Sequence, residues 1–578
     1  MSENENFPSI SIEKIKFKNH DGVFNFNEND IVLFVGANNA GKSRTLKDIK
    51  ERIHNNSYGN TILIDKIDFK EHNFSQKNIE DYFDKYVLKE TSNSYLVVLD
   101  DNMNRTFYKT EIEQLCNENS SNYPEFYILF YTFLSTENRL NLTKPYKINI
   151  SNNNKTLDII NKLRIQQDSI IKLNRILKHN FDIGIDVDDS QMFNQPQISY
   201  KIGDSDTIDK IIHSERREVY SKLGKMEDLH EQGDGIRSAV AILASLIVNE
   251  NSLYLIDEPE TFLHPPQARQ LGRDIVDLSK YKQCFISTHN IDFIRGVLET
   301  DPNRVKIIKI DRNGNDNEYN LLDNESICSI SKDKNLKYSN ILNGLFYDRV
   351  VLCEDESDCK FYSAILESLD LKIYQKTLFC AVGGKDQFKK IVPLLISLRI
   401  KYCIIADLDL INDSSKLSDL INSISADRYE EIRQTHTSFL NMFQNDGTSQ
   451  VKNQESIRKE IVQIFDEKKS DEYMTSETAN KIKNLLKKTN SFHSLKECGV
   501  YGIPNGNCRV EYEKLHDFLV RNNIYLVEVG EIERFIPTVD RHGSKWVNGV
   551  FETYPDLNNS VYKDVREFIS NVFQINSQ

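Results

Sequence analysis

Gly36-Ala37-Asn38-Asn39-Ala40-Gly41-Lys42-Ser43 is the stretch from which the rest of the chain can be read. It satisfies G-x-x-x-x-G-K-[ST] at every fixed position and follows the apolar run Ile31-Val32-Leu33-Phe34-Val35. An apolar strand, a glycine turn and a helix start are the context in which such a loop cradles phosphate. The glycines let backbone N–H groups crowd around the anion, and the helix N-terminus adds a favourable dipole. The pattern predicts an ATP site in which Gly36, Asn39 and Gly41 line the phosphates, Lys42 reaches the β- and γ-phosphates, and Ser43 ligates Mg²⁺.

Two later strand ends supply what a phosphate loop needs for hydrolysis. Leu253-Tyr254-Leu255-Ile256 runs into Asp257-Glu258-Pro259-Glu260. Adjacent side chains at a strand end point different ways, so Asp257 would face the metal and Glu258 the attacking water. Cys284-Phe285-Ile286-Ser287-Thr288-His289-Asn290 is a further apolar run ending in polar residues, and it places His289 for contact with the γ-phosphate. Upstream, Ile10 to Glu13 and Val23 to Phe26 alternate apolar and polar as half-buried strands do.

At 578 residues the chain is too long for one core and reads as several domains. No apolar run is long enough to span a membrane, and the polar start, Met1 to Phe7, is not that of a signal peptide. Nine cysteines stand singly, without a C-x-x-C pair, which suits reduced thiols in a cytoplasm and argues against a zinc ribbon. Cys353 and Cys403 sit in apolar runs and read as small buried hydrophobes. The net charge of −14 taken alone disfavours nucleic acid as a partner. A local basic groove can coexist with a negative whole, and metal sites themselves concentrate carboxylates.

The second half repeats one pattern, an apolar strand ending in acids. Val350-Val351-Leu352-Cys353 leads to Glu354, with Asp358 four residues on in a predicted first helical turn, where its charge suits the dipole. Phe379 to Val382 leads to Gly383-Gly384-Lys385-Asp386, a glycine turn and helix start. Tyr402-Cys403-Ile404-Ile405-Ala406 ends in Asp407-Leu408-Asp409, and residues i and i+2 of an extended chain share a face, so both carboxylates aim at one point. Ile524 to Val529 ends in Gly530-Glu531-Ile532-Glu533. Oxygen ligands gathered at the carboxyl ends of strands suit Mg²⁺, with Mn²⁺ the alternative.

The first set of motifs resembles the ABC-type ATPase superfamily, including its chromosome-maintenance and DNA-repair branches. There, two heads sandwich ATP, and the signature motif of one caps the nucleotide on the other. By this resemblance Glu231 to Ser238 is the signature, with Gly233, Asp234 and Gly235 as its ATP-contacting part, although Asp234-Gly235 departs from the usual Leu-Ser-Gly-Gly. Glu260 to Pro265 is similar to the loop that crosses the dimer interface, and the Leu134 to Arg139 cluster would border the nucleotide. The acidic set of the second half resembles the Toprim domain of topoisomerases, primases and a class of nucleases.

An ABC-type head fused to a C-terminal Toprim domain resembles the OLD (overcoming lysogenization defect) nucleases, a family that includes the Gabija nuclease subunit and retron-associated effectors of anti-phage defence. The resemblance implies metal ligands at Glu354, Asp358, Asp407, Asp409 and Glu533, with Glu531 a weaker match, and catalysis by Glu354 and Asp407. Asp355 stands where the family commonly has glycine. Lys545 would stabilise the scissile phosphate, or else is a surface lysine beside the single tryptophan, Trp546.

The expected fold is therefore α/β throughout. An ABC-type ATPase domain (1–340) carries a helical insertion over about 65–215. A Toprim nuclease domain (341–578) carries a helix-rich insert over about 412–495. In the first insertion, Ile160, Leu163, Ile170, Leu173 and Leu177 fall at helical spacing, broken at Gln166-Gln167; they either pack on the head or form a dimerisation arm. Asn152 to Asn154 read as a loop. In the second, clusters such as Asp466 to Lys469 form a solvated face or a DNA-contacting arm.

The implied function is an ATP-binding, metal-dependent DNA endonuclease acting as a homodimer or dimer of dimers. Its partners in defence would be a helicase-like subunit or a retron reverse transcriptase with its RNA–DNA product. The alternative is an ATPase switch whose Toprim domain recruits a partner without cutting. A topoisomerase would need a tyrosine nucleophile on a further DNA-gate domain, which the sequence does not display.

Overall fold

The computed structural model describes residues 7–54, 61–86, 89–90, 93–98, 104–110, 112–113, 124–147, 158–190, 197–212, 216–314, 316–322, 340–446, 454–466, 474–487 and 493–575. Asn152 to Asn154 and Glu467 to Lys469 lie outside them. The chain divides into two compact units, Met1–Phe346 and Tyr347–Gln578.

The first unit is built on a six-stranded sheet. Its strands run in the order Asp316–Leu321, Val305–Asn313, Ile31–Val35, Gln283–Ser287, Leu253–Asp257, Tyr131–Leu134, all parallel except the first. Ile31–Val35 and Gln283–Ser287 are buried at every position, as central parallel strands covered on both faces must be. The register pairs Ile286 with Leu33 and Asp257 with Ser287, so the three polar strand ends emerge side by side. A separate three-stranded antiparallel sheet joins Ser9–Phe17 to Val23–Asn25 and to Ile64–His72.

The 65–215 stretch differs from the expected helical insertion. It contains an antiparallel sheet of Lys89–Glu90, Ser94–Val98 and Asn104–Tyr108, and another centred on Gln197–Asp204. It also contains Tyr131–Leu134, an outer strand of the core sheet itself, paired with Leu253–Ile256. The buried run Phe126 to Tyr131 carries the chain back into the core, so the stretch is not one continuous insert. The helical part is as the spacing predicts: Ile159–Ile165 and Gln167–Phe181 meet at Gln166. Ile160, Leu163, Ile170, Leu173 and Leu177 are buried, and these helices pack on Asp234–Val248. That apolar face is thus used inside the head.

The second unit has a four-stranded, wholly parallel sheet in the order Thr377–Ala381, Arg349–Cys353, Tyr402–Asp407, Ile524–Val527. Cys353 and Cys403 are buried in it. Trp546, fully buried, packs edge-on against Phe361 at 5.0 Å and donates to the Ile536 carbonyl at 3.3 Å. The described residues of 412–495 are mostly helical, in Ser414–Ile424, Arg433–Asp446, Gln454–Asp466 and Ser476–Lys487, and His493–Cys498 closes the stretch. Arg433–Asp446 is tied to the core by Phe439, which meets Tyr512 at 6.1 Å, and by buried His436, which bonds Tyr429 and the Ile411 carbonyl. No helix among the described residues is long and apolar enough to cross a membrane.

Candidate functional site

The phosphate loop takes its shape from positions with positive φ. Gly36 (φ 147°), Asn39 (φ 64°) and Gly41 (φ 99°) all adopt it. A Cβ on Gly36 would come within 2.2 Å of the Ile310 carbonyl oxygen, so only glycine fits. Lys42 opens the helix Lys42–His54, and its ammonium donates to the carbonyls of Gly36 and Ala37, each at 3.0 Å. Burial lowers its pKa, and Glu258, Glu260 and Asp257 act in the opposite sense. Lys42 thus shares one field with three carboxylates, which is where a nucleotide phosphate and its metal would sit. Ser43 follows it in the first helical turn.

Asp257 accepts a short hydrogen bond from the Ser287 hydroxyl. Glu258 N–H donates to the carbonyl and the hydroxyl of Ser287, at 3.0 and 3.1 Å. Glu258 itself has a left-handed backbone, φ 48°, a conformation that costs energy in a non-glycine residue and recurs at functional sites. Its carboxylate lies 3.4 Å from His289 Nδ1. This contact lowers the pKa of Glu258 and raises that of His289. The two form an ion pair when the imidazole is charged.

Three residues make contacts that the sequence does not disclose. Glu260 is 3% exposed, and its Oε1 accepts from the Thr288 hydroxyl (2.8 Å) and the His289 N–H (3.1 Å), clamping the strand end that carries His289. Burial holds its pKa above the usual carboxylate range. Arg139 is fully buried and donates to the carbonyls of Leu134, Asp257 and Glu258 and to Ser238 Oγ. It therefore acts beneath the acidic pair, through the main chain. Lys385, in the second unit, is the third.

Gly233 caps the helix Asp234–Val248. Arg237 fixes the turn, donating to Asp234 at 2.9 Å and to Thr143 and the Leu140 carbonyl. A Cβ on Gly235 would meet the Phe262 carbonyl oxygen at 2.5 Å, so Gly235 lets the 260–265 loop lie against the helix start. Phe262 is 58% exposed, with φ 70°. No hydrogen bond or ion pair among the described residues joins Gly233, Asp234 or Gly235 to the phosphate loop of the same chain.

In the second unit, Glu354 follows the strand Arg349–Cys353 and Asp407 ends its neighbour, Tyr402–Asp407. Carboxylate oxygens of Glu354, Asp407 and Asp409 all lie within 4.8 Å of one another. The cause differs in part from the expected one: the strand ends at Asp407, and Asp409 sits in a 3-10 turn, Leu408–Asn412, which curls its carboxylate back. Glu354 Oε1 accepts from the Asp407 N–H at 3.1 Å. Burial, then the charge of Asp407, pushes the Glu354 pKa up. Burial raises that of Asp407, against the pull of Lys385 and Lys496. Asp358 is pushed up to about 7 by burial and then by Asp407. It caps its own helix, accepting from the Asp355 N–H at 3.1 Å.

Glu533 accepts from the Gly543 N–H at 2.8 Å and lies 3.6 Å from His542. Ser357 and Ser544 meet at 3.1 Å, so the helix Ser544–Thr553, with the exposed Lys545 in its first turn, begins beside the start of Glu356–Leu369. Glu531 faces Arg534 at 3.6 Å and is not among the three converging acids. Like-charged carboxylates packed together, with pKa values driven upward, are what a cation relieves. An all-oxygen donor set fits a hard divalent ion.

Comparison with known proteins agrees with this division. Residues 31–295 match the family described as AAA domain, putative AbiEii toxin, Type IV TA system. Residues 345–409 match that described as overcoming lysogenization defect protein-like, TOPRIM domain. The Old nuclease of Escherichia phage P2 is 25% identical over 279 residues, covering 42% of this chain and 46% of that protein. Endonuclease GajA of Bacillus cereus (strain VD045) is 27% identical over 192 residues, covering 31% of this chain and 32% of that protein. The chain thus spans less than half the length of these relatives. Among solved structures, an Smc head bound to the C-terminal winged-helix domain of ScpA is 14% identical with a TM-score of 0.34, covering 54% of this chain and 98% of that one. The two domains imply use of a nucleotide and of a divalent metal.

Proposed function

We propose that this chain, in which an AAA-type ATPase domain is joined to an OLD-like Toprim domain, is an ATP-binding, divalent-metal-dependent DNA endonuclease of the OLD type. The observation that carries the reading is the convergence of Glu354, Asp407 and Asp409 at the carboxyl edge of a parallel sheet. Ligand sites of open α/β sheets lie at that edge.

Each residue then has a task. Glu354, Asp407 and Asp409 supply oxygen ligands, with Asp358 and Glu533 at the margin. Mg²⁺ held there supplies a Lewis acid and lowers the pKa of the attacking water. Lys545 is assigned to the scissile phosphate, which the resemblance supports. In the head, Gly36, Asn39, Gly41 and Lys42 hold ATP, Ser43 and Asp257 hold its Mg²⁺, and Glu258, oriented by His289, takes the proton of the hydrolytic water. Gly233, Asp234 and Gly235 of a second copy complete the nucleotide site, so the active form is a homodimer or an assembly of dimers. The biological setting is anti-phage defence in a bacterial cytoplasm, beside a helicase-like subunit or a retron reverse transcriptase.

The deciding experiment incubates the purified chain with supercoiled plasmid and linear DNA, in Mg²⁺ or Mn²⁺, with and without ATP. Metal-dependent cleavage is expected. DNA left intact under all conditions, with ATP hydrolysis present, would replace this reading with an ATPase switch that recruits a partner. Light scattering that gives a monomer with and without ATP would remove the shared nucleotide site.

A further inference from the structure

Two lysines reach into the converging acids of the second unit, at Asp409 and Glu354. Lys385 Nζ lies against Asp409 Oδ1 and 3.6 Å from Glu354 Oε1. Lys496 Nζ lies 3.0 Å from Asp409 Oδ2. Each oxygen of Asp409 therefore carries its own ammonium group. An ammonium group at each oxygen fills the space and supplies the positive charge that a metal ion would bring there.

Both lysines are delivered by backbone that the fold fixes. Lys385 follows Gly383 (φ 77°) and Gly384 (φ 111°), whose N–H groups donate to the Glu354 carbonyl at 3.0 and 3.2 Å. The turn is thus bonded to the same residue whose carboxylate its lysine approaches. The Lys385 side chain is only 15% exposed. Lys496 comes from a different segment, the helix His493–Cys498 at the end of the helix-rich insert. That helix rests on the turn after the last strand: a Cβ on Gly530 would come 2.5 Å from the Lys496 carbonyl oxygen, and Val500 N–H donates to the Glu528 carbonyl at 2.8 Å.

We propose that Lys385 and Lys496 are built-in counter-cations of the acidic cluster, and that a divalent ion occupies Glu354, Asp407 and Asp409 by displacing them. This rests on the reading of those three residues as a metal site. Three carboxylates held close without a cation repel one another. The two ammonium groups supply that charge in the metal-free chain and keep the ligands gathered. A divalent ion concentrates twice the charge at one point and accepts several oxygens at once, so it competes successfully when abundant. The arrangement sets a threshold of metal concentration below which the site stays closed. It also frees Lys385 in a loaded site, where its charge suits a phosphate oxygen.

Mn²⁺ titration of the nucleotide-free full chain by calorimetry tests this, taking as the readout the component lost in Asp407→Ala. Lys385→Met and Lys496→Met should each bind Mn²⁺ more tightly, by about tenfold, a difference of roughly 1.4 kcal/mol. Lys389→Met, which removes an exposed lysine paired with Asp419, should match the wild type. Thermal melts give a second readout: Lys385→Gln should be less stable than wild type in EDTA and gain more from Mn²⁺. Unchanged or weaker Mn²⁺ affinity in both methionine variants would overturn the proposal while leaving the metal site in place. If Asp407→Ala binds Mn²⁺ as the wild type does, the ion is not at this cluster, and the nuclease reading and the proposal both fail.

Discussion

The guanidinium of Arg139 donates to the main-chain carbonyl of Asp257 at 2.5 Å, from a position 118 residues earlier in the chain. A second arm reaches the Glu258 carbonyl at 3.0 Å, and Nε reaches Ser238 on the helix that follows Gly233. One buried cation thus joins the acidic strand end to the helix Asp234–Val248. Burial brings its pKa down to about 10, still far above neutrality, so it stays charged.

Arg139→Met should therefore act on both stability and turnover. It leaves several buried carbonyls without a donor, at a cost of about 3 kcal/mol. The thermal midpoint of the ATPase unit should fall. ATP hydrolysis should fall further than ATP affinity, because Asp257 and Glu258 lose their backbone support while Lys42 keeps its own. Arg139→Lys should recover only part of the stability, since one ammonium cannot span four acceptors. Equal midpoints for wild type and Arg139→Met in calorimetric scans would contradict this role.

Lys42→Ala should abolish ATP binding, because the phosphate cradle loses its point charge. Glu258→Gln should bind ATP with near wild-type affinity yet hydrolyse it about a hundredfold or more slowly, the usual effect of losing a positioned base. Calorimetric titration separates the two. Retained ATP affinity in Lys42→Ala would refute the first, and normal turnover by Glu258→Gln would refute the second.

What could be read in the sequence was chemistry confined to one segment. The phosphate loop, Asp257-Glu258 and Asp407-Leu408-Asp409 each carry backbone and side-chain requirements within a few consecutive residues. Glu260 and the cluster ending in Arg139 are placed near the nucleotide by resemblance, but the contacts of Arg139, Glu260, Lys385 and Lys496 are not legible, because they arise only where distant segments meet. Lys385 reaches Asp409 across 24 residues, and nothing in Gly383-Gly384-Lys385 alone says that its ammonium will point into an acidic cluster. The strands within 65–215 were missed for a related reason. Helical spacing at Ile160 to Leu177 dominates that stretch, whereas the pairing that defines Tyr131–Leu134 lies with Leu253–Ile256, far along the chain.

Asp407→Ala should cost cleavage roughly a thousandfold, since metal-assisted stabilisation of the transition state is worth several kcal/mol. ATP hydrolysis should survive, because the phosphate loop and the Asp257–His289 residues lie in the other unit. DNA binding should persist or strengthen as repulsion of phosphate falls. Normal DNA cleavage in Mg²⁺ by this variant, assayed on plasmid, would remove the Toprim residues from the mechanism.

The acidic cluster should also make the metal-free chain sensitive to pH in a defined direction. Burial and mutual repulsion raise the pKa of Glu354, Asp407 and Asp358, the last from 3.8 to about 7. A carboxyl whose folded pKa exceeds its unfolded one binds its proton more tightly when folded. Its contribution to stability is fully present below the unfolded value, near pH 4, and is lost as pH rises through about 7. In EDTA, the second unit should therefore melt at a lower temperature at pH 8 than at pH 5.5. Mg²⁺ binds the charged form and competes with protons, so it should raise the midpoint more at pH 8 than at pH 5.5. Asp358→Asn, which mimics the protonated acid, should flatten the EDTA profile. A midpoint gain from Mg²⁺ that is the same at both pH values would show that metal and protons do not compete for these carboxylates.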